Sequence, residues 1–83
     1  MQYNYNPNGV CSRKISFDID DGIVKNVVFT GGCAGNTQGI AKLCEGRRAD
    51  ELIEILNGIK CGFKNTSCPD QLAKAINKAV KEE

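Results

Sequence analysis

The amino-acid sequence predicts an α+β fold, in which an N-terminal antiparallel β-hairpin or small sheet is followed by three helices packed on one of its faces. Two observations predict it. Apolar and polar residues alternate before a tight turn early in the chain and a segment rich in Val, Ile and Phe follows it, and apolar residues recur at helical spacing in three later segments. At 83 residues the chain is expected to form a single domain over residues 1–83, with a core small enough that a bound metal would add stability.

The hairpin is the first predicted element. Between Lys14 and Asp20 every second residue is apolar, as a half-buried strand requires. Asp21 and Gly22 tolerate the positive φ angles of a tight turn, and the segment 23–30 is rich in Val, Ile and Phe. The residues expected to share the buried face of this second strand are Ile23, Val27 and Phe29. The opposite face of the sheet is expected to be more polar or to meet a partner.

Three helices are predicted after the hairpin. The first begins near Asn36 or Thr37, after a glycine-rich turn, and ends at Gly46. The second covers Asp50–Asn57, and the third carries Pro69 in its first turn. The apolar residues at helical spacing are Ile40, Leu43 and Cys44 in the first helix, Leu52, Ile55 and Leu56 in the second, and Leu72, Ile76, Ala79 and Val80 in the third.

The charge pattern argues against nucleic-acid and membrane binding. The chain has 11 basic and 10 acidic residues, and its basic residues cluster no further than pairs such as Arg47–Arg48, interpreted as an exposed loop. The N-terminal residues MQYNYNPNG have neither a basic start nor an apolar run, and no segment approaches the ~20 apolar residues of a membrane span. We therefore expect a cytoplasmic protein that binds neither nucleic acid nor membranes.

The cysteines are the residues most suited to chemistry, because the chain has 5 of them and no histidine. In a reducing cytoplasm, recurrent cysteines more often mark metal or catalytic sites than disulfides, and an odd number cannot be fully paired. Cys44 is the exception, because it lies on the apolar face of the first predicted helix, where a free cysteine packs as a small hydrophobic residue. Cys44 is therefore predicted to belong to the core.

Cys68 is predicted to lie at the N-terminus of the third helix. Thr66 or Ser67 can cap this helix, Pro69 suits its first turn, and Asp70 follows Ser67 by three residues, as in a capping box. The free N–H groups and the dipole at a helix N-terminus stabilise a thiolate. The sequence therefore predicts a chemically active thiol at this position.

Three further cysteines are placed where they could join Cys68. Cys33 lies between the second strand and the first helix, in a loop whose glycines allow a ligand to approach closely. Cys11 leads into the strand antiparallel to the one that delivers Cys33, and only six residues separate Cys61 from Cys68. Four converging thiolates suit zinc or an iron–sulfur cluster, and without histidine the set Cys11, Cys33, Cys61 and Cys68 is the simplest closed metal site.

Three other functions are compatible with the same residues. Cys33 and Cys68 could cycle between dithiol and disulfide and deliver electrons to a reductase. The segment GGCAGN before a helix could bind a phosphate through backbone N–H groups, although it lacks the Walker lysine and the full dinucleotide-binding spacing. The domain could also be purely structural, with no metal and with unreactive thiols.

The segments GGCAGNTQGIAKLCEG, LNGIKCG and NTSCPDQLAKAI together resemble the TSCPD domain family, named after the motif formed here by Thr66–Asp70. Such domains occur as short stand-alone bacterial proteins and near the C-terminus of adenosylcobalamin-dependent ribonucleotide reductases. The resemblance implies a larger partner, such as a ribonucleotide reductase, and a link to deoxynucleotide synthesis. Because 83 residues cannot house a radical-generating cofactor together with substrate sites, we expect an accessory protein.

A second similarity is to the NifU-type iron–sulfur assembly scaffold, in which a hairpin also leads to a Gly–Cys turn before a helix and a cysteine opens the final helix. On that pattern Cys11, Cys33 and Cys68 match the three scaffold cysteines. Arg13 and Ser67 stand where the scaffold has an Asp and a His, and the residue that the scaffold lacks is Cys61. The similarity thus implies a NifU-like fold with a different ligand set.

Overall fold

The computed structural model describes residues 2–7, 12–31, 34–60 and 66–82. Its elements are β1 (Gln2–Tyr5), β2 (Ser12–Asp20), β3 (Ile23–Gly31), α1 (Ala34–Cys44), β4 (Arg47–Arg48), α2 (Ala49–Leu56) and α3 (Cys68–Glu82). The strands form one antiparallel sheet in the order β1-β2-β3-β4. The predicted α+β fold, a small antiparallel sheet followed by three helices, is confirmed.

The hairpin of β2 and β3 closes at the predicted turn. Asp21 and Gly22 have φ angles of 51° and 77°, the left-handed conformation that matches the twist of the flanking strands. The alternating apolar residues of β2 point into the core, where Ile15, Phe17 and Ile19 are buried. The hairpin is thus specified both by its turn and by its alternating pattern.

The opposite face of the sheet is largely polar, as expected, although Val28 is exposed there beside Ser16. Ser16 Oγ donates a hydrogen bond to Asn4 Oδ1 at 2.9 Å, between β2 and β1. Asn26 Nδ2 donates to Asp18 Oδ2 at 2.8 Å, between β3 and β2. These cross-strand pairs satisfy polar side chains on the face that the helices leave uncovered.

A β-bulge in β3 changes which of its side chains face the core. Asn26 and Val27 together lie opposite the single residue Phe17 of β2, and Asn26 adopts a φ angle of 55°. The extra residue reverses the alternation on the side of the bulge nearer the turn. As a result Val24 is fully buried, whereas Ile23 is only half-buried. The prediction that Ile23 shares the buried face with Val27 was therefore wrong.

The three helices cover the apolar face of the sheet and complete the core. α3 contributes most because its small and branched apolar residues recur on one face, namely Leu72, Ala75, Ile76 and Ala79. Cys44, at the end of α1, is buried as predicted. Leu43, predicted on the same face, is 68% exposed, so the buried stripe of α1 is narrower than its sequence indicates. No helix in the described part of the chain combines the length and apolar character needed to cross a membrane.

Arg47 and Arg48 form a short edge strand, and not the loop that was predicted. Gly46, with a φ angle of 78°, reverses the chain after α1 and donates its N–H to the carbonyl oxygen of Val24 at 2.9 Å. This contact brings Arg47 opposite Val24 and Arg48 opposite Ile23. Both arginines are exposed, as predicted. Two consecutive arginines carry no strand signal, so the strand results from the tertiary position of the segment.

The turn at Asp21–Gly22 marks one end of the molecule, which we call the tip end. α2 begins there, because the N–H of Ala49 donates to the carbonyl oxygen of Gly22 at 2.8 Å. α3 finishes there, because Val80 lines the same cleft as the turn residues. Both helices therefore run along the hairpin, in opposite directions.

The start of α3 lies at the other end of the molecule. Ala75, near the middle of the helix, lines a cleft with Tyr3 and Phe17, which are paired further from the turn. The 15 residues of α3 extend about 22 Å, so its first residue lies towards the ends of the strands where Ser12 and Gly31 pair. We call this the open end.

Candidate functional site

The candidate site lies at the N-terminus of α3. Ser67 is its N-cap, because its Oγ accepts the N–H of Asp70 at 3.2 Å and its carbonyl oxygen accepts the N–H of Gln71 at 2.8 Å. Cys68 is the first helical residue and is half-buried, and Pro69 is the second, where its missing N–H leaves no hydrogen bond unmade. The predicted cap and the predicted position of Cys68 are confirmed.

The carboxylate of Asp70 connects the start of α3 to the end of α2. It is 2% exposed, and its Oδ1 accepts the N–H of Gly58 at 2.7 Å. Its Oδ2 accepts the hydroxyl of Thr66, and the ammonium of Lys74 lies 2.9 Å from both oxygens. The capping-box spacing predicted a local role for this side chain, whereas its carboxylate in fact bridges two segments of the chain.

These contacts keep Asp70 ionised. Burial disfavours the charged carboxylate, but the hydrogen bonds from Thr66 and Gly58 and the ammonium of Lys74 outweigh it and hold the pKa of Asp70 below its usual range. The first turn of α3 therefore carries a fixed negative charge two residues after Cys68, at the end of the helix where the dipole favours it.

A second hydrogen bond joins the same two segments. Ser67 Oγ donates to the carbonyl oxygen of Ile59 at 2.6 Å. Gly58 has a φ angle of 87°, which lets the chain turn towards α3 immediately after α2. Gly58 and Ile59 were not predicted as site residues, and the only sequence signal for them was a glycine just beyond the second helix.

Of the four predicted metal ligands, Cys68 is the one that the structure describes. Cys11, Cys33 and Cys61 lie outside the described residues. Within residues 2–7, 12–31, 34–60 and 66–82, no three His, Cys, Asp or Glu side chains cluster so as to hold a metal ion. Binding at Cys68 would thus require ligands from the rest of the chain.

Two of the remaining cysteines are adjacent in sequence to residues that meet at the open end. Ser12 and Gly31 are partners in the register of β2 and β3. Cys11 immediately precedes Ser12, and Cys33 follows Gly31 by two residues and immediately precedes α1. The strand register therefore brings together the two points at which the chain leaves for Cys11 and Cys33.

The third cysteine follows a residue that contacts the start of α3. Ile59, which accepts the hydroxyl of Ser67, precedes Cys61 by two residues, and Ser67 directly precedes Cys68. The described residues next to all four predicted ligands thus belong to the open end of the molecule.

Cys44 lies at the tip end, apart from this group. It is the last residue of α1 and is 2% exposed, and burial raises the pKa of its thiol to about 11 despite the opposing charge of Arg47. Neither Cys44 nor Cys68 forms a disulfide with another described residue. Cys44 is therefore a neutral core residue, as predicted.

Comparison with known proteins identifies the family. The sequence profile of the TSCPD domain matches residues 2–80, which include β1 as well as the site at the start of α3. No curated protein and no solved structure matches the chain significantly. Because the match covers nearly the whole chain, this protein belongs to the TSCPD domain family.

Proposed function

We propose that this protein is a small accessory module that binds zinc or an iron–sulfur cluster through Cys11, Cys33, Cys61 and Cys68. The main support is the arrangement of the open end, where the Ser12–Gly31 pair and the start of α3 lie on the same side of the molecule. Consecutive Cα atoms are about 3.8 Å apart, so ligands one or two residues from this end need little additional chain to converge.

The donor set fits these metals. Four thiolates form the tetrahedral, all-sulfur shell of structural zinc sites and of iron–sulfur clusters, and the chain offers no histidine as an alternative. Four thiolates around Zn²⁺ leave a net negative charge. α1 and α3 both begin at the open end, and the positive ends of their dipoles would partly offset that charge.

An accessory role follows from size and from the family. A domain of 83 residues is too small to enclose a radical cofactor together with substrate and effector sites, so such catalysis would reside outside this domain. The family resemblance favours a ribonucleotide reductase as that partner, in cytoplasmic deoxynucleotide synthesis. Bound metal would add the stability that a small core lacks.

Metal analysis of cysteine variants tests this proposal. The protein is expressed and purified without oxygen, and zinc, iron and acid-labile sulfide are measured per chain in the wild type and in Cys33→Ser and Cys68→Ser. We expect stoichiometric metal in the wild type and its loss in both variants. Cys44→Ser is the matched control and retains the metal, because Cys44 lies at the tip end. Metal-free wild-type protein, or metal retained in Cys68→Ser, would overturn the proposal.

The same arrangement supports thiol redox chemistry as a second candidate. Cys33 and Cys68 would form a disulfide with loss of two protons and release two electrons to a reductase. A metal-free wild type with a reversible Cys33–Cys68 disulfide, identified by mass spectrometry, would select this function. Absence of both metal and disulfide would leave a structural interaction domain.

A further inference from the structure

We infer that Ser67 and Asp70 are positioning residues for the cysteines of the site: their side chains fix the end of α2 against the start of α3 and thereby set the separation of Cys61 and Cys68. The inference rests on the proposed function of these cysteines. It assigns separate roles within the TSCPD motif, with the thiol for chemistry and the flanking polar residues for geometry.

Two hydrogen bonds form this connection, which we call the clasp. Asp70 Oδ1 accepts the N–H of Gly58 at 2.7 Å, and Ser67 Oγ donates to the carbonyl oxygen of Ile59 at 2.6 Å. Gly58 and Ile59 are adjacent residues that follow α2. Their partners are Asp70, in the first turn of α3, and Ser67, its N-cap. Together they bracket the seven residues 60–66, and the two anchor residues are close in sequence to the thiols, since Ile59 precedes Cys61 by two residues and Ser67 directly precedes Cys68.

Thr66 supports the clasp from within the loop. Its hydroxyl donates to Asp70 Oδ2 and also accepts Gln71 Nε2 at 2.9 Å. One oxygen of Asp70 therefore contacts the end of α2 and the other contacts Thr66, while the ammonium of Lys74 lies 2.9 Å from both. The orientation of this carboxylate is fixed on both sides.

Capping of α3 alone does not account for this arrangement. Ser67 already accepts the N–H of Asp70, and a carboxylate in the first turn can act on the helix dipole from the surface. Asp50, in the first turn of α2, does so with a side chain that is 70% exposed and paired with Arg48. Burial of a charge at Asp70 costs solvation free energy, which Lys74 of the same helix offsets in part and the contacts to Gly58 and Thr66 offset by joining two segments.

The clasp matters for binding because it holds the two points from which the chain leads to Cys61 and Cys68. A chain segment whose ends are held samples fewer separations of its residues, so less conformational entropy would be lost when both thiolates bind one ion. Residues that orient metal ligands without touching the metal typically change affinity by about 10- to 100-fold when substituted.

Cobalt binding provides the first test. The metal-free protein is titrated with Co²⁺ in the absence of oxygen, and the thiolate-to-cobalt charge-transfer band and the visible d–d bands report affinity and the number of thiolates. We expect Ser67→Ala and Asp70→Asn to bind Co²⁺ about 10- to 100-fold more weakly than the wild type. Ser67→Thr, which keeps the hydroxyl, restores binding. Asp50→Asn, whose carboxylate pairs with Arg48 at the tip end and takes no part in the clasp, binds as the wild type does.

Disulfide exchange provides a test that needs no metal. In a chain with Cys11→Ser, Cys33→Ser and Cys44→Ala, glutathione disulfide oxidises Cys61 and Cys68 to a disulfide and is reduced to two glutathione thiols. The equilibrium gives the effective concentration of the two thiols for each other, corrected for the folded fraction measured by circular dichroism. We expect Ser67→Ala and Asp70→Asn to lower it at least tenfold, and urea to abolish the difference between variants and parent.

The two tests separate the inference from the proposed function. If the wild type does not bind Co²⁺, the metal function fails, while the disulfide equilibrium still decides the clasp. If both variants match their parents in cobalt affinity and in effective concentration, the clasp is overturned although the metal function stands.

Discussion

The two ends of the molecule use the same residue types in opposite ways. Cys44 is the last residue of α1 at the tip end and Cys68 is the first residue of α3 at the open end. Burial keeps the Cys44 thiol neutral, and the carbonyl end of a helix dipole also disfavours a thiolate. Cys68 is half-buried at the N–H end of its helix. Burial, and not residue type, thus separates the packing Cys44 from the more accessible Cys68.

The aspartates of the two ends differ in the same manner. Asp50 lies in the first turn of α2 and forms an exposed pair with Arg48 at 2.7 Å. Asp70 lies in the first turn of α3, where its carboxylate is buried and joined to Gly58 and Thr66. The tip end therefore has a solvated ion pair that contributes little to stability. The open end has a buried charge on which the local structure depends.

The largest expected difference between the two ends is in thiol reactivity. In a chain with Cys11, Cys33 and Cys61 replaced by Ser, iodoacetamide should modify Cys68 at least about 100-fold faster than Cys44 at pH 8, since only thiolate reacts. With a pKa of about 11, Cys44 is thiolate in about one molecule in a thousand at that pH, and it is also buried. Mass spectrometry of timed samples gives both rates. In urea the two rates should converge, and similar rates in the native protein would refute the contrast.

Stability should show the next largest difference. Asp70→Asn leaves the ammonium of Lys74 without its partner and places an amide N–H₂ group against at least one donor, so we expect the free energy of unfolding to fall by about 1–3 kcal/mol. Asp50→Asn, the matched substitution in the exposed pair, should leave the denaturation midpoint unchanged. Urea denaturation followed by circular dichroism measures both. Equal midpoints for the two variants would show that the buried contacts of Asp70 contribute nothing.

The pH dependence of stability should give the smallest effect. The pKa of Asp70 is lower in the folded protein than its ordinary value of 3.8, so its ionised form stabilises the fold fully above that value. This contribution is lost as the pH falls through the folded-state pKa. The advantage of the wild type over Asp70→Asn should therefore be constant from pH 7 to about 5 and shrink below about 4. Urea denaturation at each pH measures it, and an advantage unchanged at pH 3 would contradict the assignment. The hydrogen bond from Arg48 also lowers the pKa of Asp50, but solvent screens this exposed pair, so the pH profile of Asp50→Asn should depart from that of the wild type far less than the profile of Asp70→Asn does.

Local patterns were sufficient to predict most of the architecture and part of the site. The alternation in β2, the Asp21–Gly22 turn and the cap at Ser67 each depend on residues close together in sequence, and all three were found as predicted. The position of Cys68 followed from the same local rules. The convergence of Cys11, Cys33 and Cys61 upon it stays a prediction.

The features that sequence reasoning missed depend on contacts between distant segments. Arg47 and Arg48 become a strand only because Gly46 reaches Val24 of the hairpin. The carboxylate of Asp70 turns to Gly58, twelve residues earlier, and no local pattern encodes that choice. Leu43 is exposed because neighbouring elements, and not its helical spacing, decide which part of α1 is covered.

The extra residue in β3 has a consequence for the pairing of the strands at the open end. Asn26 and Val27 share one partner in β2. Sliding one strand by one position against the other would turn Ile15 and Ile19 out to water, so burial of these residues selects one register of the hairpin. Deleting Asn26 would shift Gly31 by one position against Ser12. A second register shift lies between Ser12 and Lys14, so the two irregularities together determine which residues of β2 and β3 pair at the open end.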